Sequence, residues 1–66
     1  MNYNDFMNLV TVRLRDYPSE RYGQAVYNVA AIQFPDRVGI IAGSKIDCFY
    51  DDSNLGSFLT AIGLEY

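Results

Sequence analysis

The stretch Val38-Gly39-Ile40-Ile41-Ala42-Gly43-Ser44-Lys45-Ile46-Asp47-Cys48-Phe49-Tyr50 decides the fold. Its β-branched and aromatic residues form two runs on either side of a Gly-Ser-Lys turn, so it can be read as a β-hairpin. It can also be read as a short helix over residues 37–42. In that reading Asp36, directly after Pro35, is the N-cap and Gly43 the C-terminal stop. A lone two-stranded hairpin is marginal in water unless it lies against helices. The preferred reading is therefore a short helix plus an extended loop. It makes the chain a single all-α domain of three to four short helices, with an α+β domain carrying a 38–50 hairpin as the alternative.

The segments on either side are helical by periodicity. Between Asp5 and Tyr17 the apolar residues Phe6, Met7, Leu9, Val10, Leu14 and Tyr17 recur at three- and four-residue steps, with polar residues between them. Asn4 is the expected N-cap, Asp5 suits the positive end of the helix dipole, and Pro18 disfavours helical geometry at Tyr17. A second helix is expected from Ser19, with Glu20 in its first turn and Tyr22, Val26, Val29 and Ala30 on one face, ending before Pro35. The short Tyr17-Pro18-Ser19 link makes the two a helical hairpin or corner. At the other end Asp51, Asp52 and Ser53 offer caps. Leu55, Phe58, Leu59 and Ile62 line the last helix, which Gly63 stops.

Composition narrows the chemistry. Half of the 66 residues are hydrophobic and the aromatic set is six Tyr and four Phe, which is too apolar for a disordered chain and too short for two domains. There is no His, and one Cys cannot form an internal disulfide or a zinc site. A lone thiol suits a reducing compartment, so the cytoplasm is expected. No basic region followed by an apolar run opens the sequence, and no apolar stretch is long enough to span a bilayer, so no signal peptide and no membrane partner is expected. The net charge of −3 is uneven. Arg13, Arg15 and Arg21 balance Asp5, Asp16 and Glu20 in residues 1–33, while the acidic excess lies in residues 34–66. Nucleic-acid binding needs a concentrated basic patch that so few cations do not make.

The string Arg21-Tyr22-Gly23-Gln24-Ala25-Val26-Tyr27-Asn28, then Pro35, Asp47-Cys48-Phe49-Tyr50-Asp51-Asp52 and Phe58-Leu59, resembles a family of very small bacterial and bacteriophage proteins. In that family an R-x-G-Q-A-x-x-N helix precedes a D-P-F-Y-x-D loop and a final short helix. The resemblance covers most of the chain from Tyr17 onward. It implies an all-helical domain and a phage or mobile-element setting, hence a host-cell cytoplasm, and it supplies no catalytic residue. Cys48 stands where the family pattern has Pro, which implies a less rigid loop.

Several constellations have both a bland and a sharp reading. Arg21, Gln24 and Asn28 lie on one side of the second helix. They form a solvated face, bind a partner, or, as we prefer, place the two amides on the backbone of the 47–50 loop. Asp47, Asp51 and Asp52 suggest a hard-cation site, but the spacing is not that of an EF-hand loop and helix capping accounts for the last two. Ser19, Ser44, Ser53, Ser57 and Cys48 have no histidine base. Ser44-Lys45 resembles no known Ser-Lys arrangement, and Gly39-x-x-x-Gly43 reads as close helix packing plus a stop. No catalytic residue, cofactor or metal is therefore expected. Six tyrosines exceed what one small core can bury with their hydroxyls satisfied, and a Tyr and Arg surface suits protein recognition. The expected function is non-enzymatic protein–protein interaction, by a phage-type accessory protein that binds a host or virion protein through Arg21, Tyr22, Tyr27, Tyr50, Asp51 and Asp52. A structural protein that self-assembles as a homo-oligomer is the alternative, and a nucleic-acid accessory factor using Arg13, Arg15 and Arg21 stands third.

Overall fold

The computed structural model describes residues 1–41, 49 and 51–64. Helices α1 (Tyr3–Asp16), α2 (Tyr22–Gln33), α3 (Pro35–Ile41) and α4 (Leu55–Ala61) follow in chain order, with a 3₁₀ turn (Asp52–Asn54) leading into α4. No strand occurs among the described residues, and the domain is all-α. Residues 38–41 belong to α3, as the helical reading of the deciding stretch requires. The extended loop expected after it falls on residues 42–48 and 50, outside the described residues.

The helix starts differ from the sequence expectation. Asn2, not Asn4, caps α1, and its side-chain oxygen accepts the Asp5 backbone N–H at 2.8 Å. Both asparagines precede the apolar repeat, and the earlier one lets Tyr3 join the helix. The second helix begins at Tyr22 rather than after Ser19, with Arg21 at the cap. Arginine has no acceptor to offer there. Instead Gln24, three residues on, turns its Oε1 back to the Arg21 N–H at 2.9 Å. Glu20 is thereby left outside the helix.

Pro18 follows the C-cap Tyr17 and Pro35 follows Phe34, the C-cap of α2, as the sequence implies. The start of α3 is corrected: Pro35 itself occupies the first position of the helix, where its missing N–H costs nothing, so Asp36 lies in the first turn rather than at the N-cap. Gly63 ends α4 with φ 83°, its N–H donating to Thr60 O at 3.0 Å and that of Leu64 to Leu59 O at 2.8 Å. That pair of bonds is a Schellman stop, and the buried Leu64 and Leu59 supply its apolar contact.

The core takes Phe6 and Val10 from α1, Ala25, Val26, Val29 and Ala30 from α2, and Val38 from α3. Phe58, Leu59, Ile62 and Leu64 close it from the C-terminal end. Phe6 stacks on Phe34 at 6.4 Å between ring centroids, and Tyr27 tilts against Phe58 at 5.8 Å. Two expectations about packing are corrected. Tyr22, placed by periodicity on the core face, is 43% exposed, because at the first position of α2 it lies at the end of the helix stripe. Gly39 is exposed, and a Cβ built there meets nothing within 4 Å, so it serves no close helix packing. Gly43 lies outside the described residues.

Candidate functional site

Two surfaces follow from this arrangement. One surrounds the start of α2. The guanidinium of Arg21 donates to the carbonyl of Phe49 through Nη2, and its Nε lies 3.6 Å from the Asp52 carboxylate. The same carboxylate oxygen accepts the Gly23 N–H at 3.1 Å. A negative group is favoured there because the first N–H groups of a helix have no partner within it. Asp51, one residue earlier, caps the 3₁₀ turn by accepting from the Ser53 N–H at 3.0 Å and from the Ser53 hydroxyl at 2.7 Å. Those two bonds, the hydroxyl first and then the N–H, hold the Asp51 carboxyl below the ordinary aspartate range, and Arg21 adds to the shift.

Tyr22 stands next to this pair, its hydroxyl 4.0 Å from the Met7 sulfur. Burial of part of the ring, and then the neighbouring Tyr3, push its hydroxyl upward from the usual phenol value. Arg21, Tyr22, Asp51 and Asp52, all expected at the contact surface, are exposed, and Arg21 links the start of α2 to the Asp52 turn. Tyr27 is different. It is half-buried, with its ring edge-on to Phe49 at 5.3 Å and tilted on Phe58, so it supports this face from beneath. Tyr50 lies outside the described residues.

The amides of α2 depart from expectation. Gln24 closes on the Arg21 N–H, and the Asn28 amide donates to Glu20 Oε2 at 2.7 Å. Among the described residues the loop carbonyl of Phe49 is bound by Arg21 instead, a longer side chain already at the mouth of the loop. Glu20 is the centre of a second network. Arg13 grips it with both nitrogens of one edge, Nε at 2.8 Å and Nη2 at 3.1 Å, while its guanidinium carbon lies 4.0 Å from the centre of the Tyr17 ring. The Arg13 hydrogen bond, ahead of the charge attraction and the Asn28 contact, lowers the Glu20 carboxyl from its ordinary value. Each arginine of the first half thus has a carboxylate nearby, since Arg15 Nε lies 3.6 Å from Asp16.

A further surface exists only once α1 and α2 lie side by side. An open groove of about 230 Å³ runs between α1 and α2, with an apolar lining of Leu9, Val12, Val29 and Ile32. Arg13, Asp16, Tyr17 and Gln33 form its rim. Ile32 is 68% exposed and Val12 41%. The signal was present, since Val12 and Ile32 interrupt the otherwise polar outer faces of their helices. Among the described residues no three His, Cys, Asp or Glu side chains come together as a metal would require, and no helix is long and apolar enough to cross a membrane. Comparison with known proteins found no matching family model, no matching curated protein and no matching solved structure.

Proposed function

We propose that this chain is a non-enzymatic protein–protein interaction module, a phage-type accessory protein that binds a host or virion protein through the face built on Arg21, Tyr22, Asp51 and Asp52. The observation that carries the reading is the placement of Arg21 at the start of α2. Its guanidinium is held by the Phe49 carbonyl and faces Asp52, beside an exposed tyrosine seated on Met7. Arginine and tyrosine are the residue types enriched where binding energy concentrates, and a side chain already held in place gives up less rotamer freedom on binding. The phage-type setting is supported by the motif resemblance from Tyr17 onward. The non-enzymatic reading is supported by the absence of histidine and by the engagement of Asp51 with Ser53 in a helix cap rather than in a nucleophile–base pair.

The test is affinity capture of the tagged protein from a bacterial lysate at two salt concentrations, beside an Arg21→Ala plus Tyr22→Ala variant. Tyr27 is left intact because its ring packs on Phe49 and Phe58. A stoichiometric partner retained by the wild type and lost by the folded variant supports the reading. Equal recovery of every retained protein by both would refute it.

A further inference from the structure

The groove between α1 and α2 lies outside the Arg21 face and calls for its own occupant. We propose that it binds a second copy of the same chain, forming a two-fold dimer in which Ile32 of each protomer enters the groove of the other. This goes beyond the hetero-partner reading and stands or falls separately from it.

The first reason is shape. A two-fold contact is isologous, so the same patch must carry both the projecting and the receiving part. Ile32, 68% exposed, is the projection, and the Leu9, Val12 and Val29 lining beside it is the recess. Both are on one face.

The second reason is charge. The chain carries −3, and two copies meeting through residues 34–66 would bring like charges together. The groove lies instead on the half where arginines and carboxylates cancel. At its rim Arg13 is neutralised by Glu20. The exposed Arg15 and Asp16 beside it are of opposite sign and hold each other only at 3.6 Å, free to exchange partners across a two-fold axis. A self-contact here accumulates no excess charge.

The third reason is size and need. A standard interface buries about 800 Å² per partner, roughly a fifth of this chain's 4145 Å². One cysteine excludes an internal disulfide, and self-association is one of the aids, beside aromatic packing, on which domains this small rely.

The experiment is sedimentation equilibrium of the full chain from about 5 to 500 µM, the range in which a small interface is expected to titrate. The mass should rise with concentration from 7.5 kDa toward twice that value. Ile32→Asp, a change at an exposed position, should remain monomeric throughout while keeping its far-UV helical signal. Should that variant lose its fold, Ile32→Ala serves in its place, with dimerisation weakened about tenfold. Tyr22→Ala should dimerise as the wild type does. A wild type that stays at 7.5 kDa at every concentration overturns the proposal. So does association that folded Ile32 variants leave unchanged.

Discussion

Gly39 and Gly63 are identical residues in opposite situations. Gly39 lies in the middle of α3 with open space where a Cβ would go, so it contributes only backbone freedom that folding must remove. Gly63 sits at φ 83°, where an L side chain is strained, and a Cβ there would come within 3.4 Å of Arg37 Nη1, which is bonded to the Ile62 carbonyl. Gly39→Ala should therefore stabilise by about 0.5 to 1 kcal/mol, and Gly63→Ala should destabilise by about 1 kcal/mol. At this chain length each amounts to a shift of several degrees in Tm, upward for the first and downward for the second, measurable by thermal unfolding. The stop at Gly63 was legible because glycine after an apolar repeat is its usual sign. The open space at Gly39 was not, since sequence spacing alone does not tell a packing glycine from an exposed one.

Glu20 gives a second prediction at this scale. Its folded carboxyl lies below its unfolded value because the charged form is gripped by Arg13 and Asn28. The stabilisation is complete above the unfolded value of about 4.3 and is lost as pH falls through the lower folded value. In Glu20→Gln, Tm should fall at neutral pH, and the drop between about pH 5 and pH 3 should be smaller than in the wild type. A variant with the same acid profile as the wild type would show that the Arg13 grip adds nothing.

Among the elements, α4 depends most on tertiary contact. It has only seven residues, fewer than an isolated helix needs, yet it carries Phe58 and Leu59 into the core and hands Ile62 and Leu64 on after it. Arg21 reaches the loop ahead of the turn leading into it, and Arg37 binds the Ile62 carbonyl at 2.8 Å behind it. Phe58→Ala removes a fully buried ring, a loss of about 3 to 5 kcal/mol against a total of similar size for a domain this small. The variant should be largely unfolded at 25 °C by far-UV circular dichroism, and a native-like melt would contradict this account of the core. Helix stops were readable because Pro18, Pro35 and Gly63 act locally. Helix starts were less so. Asn2 and Asn4 are chemically equivalent caps, and the Gln24 bond that starts α2 at Tyr22 leaves Glu20 outside it, where it meets Arg13, seven residues earlier, a contact that no local pattern announces.

For the whole molecule, the division of charge along the chain becomes a division of surfaces. The balanced half supplies α1 and α2 with the apolar groove between them, and the acidic half supplies the Asp51 and Asp52 turn that meets the start of α2. Of the six residues expected at the contact surface, Arg21, Tyr22, Asp51 and Asp52 are exposed together, because a capping aspartate and the residue at a helix start are held at the ends of their elements. Tyr27 is turned inward because its position on α2 faces the ring of Phe58. Periodicity had not revealed the groove, which needs two helices side by side before it exists. The most direct measurement of the central claim is quantitative capture from lysate by three proteins. These are the wild type, the Arg21→Ala plus Tyr22→Ala variant, and Ile32→Asp, each verified as helical. The expected result is a stoichiometric partner held by the wild type and by Ile32→Asp and lost from the Arg21 and Tyr22 variant. Retention of the same partner by all three would contradict it.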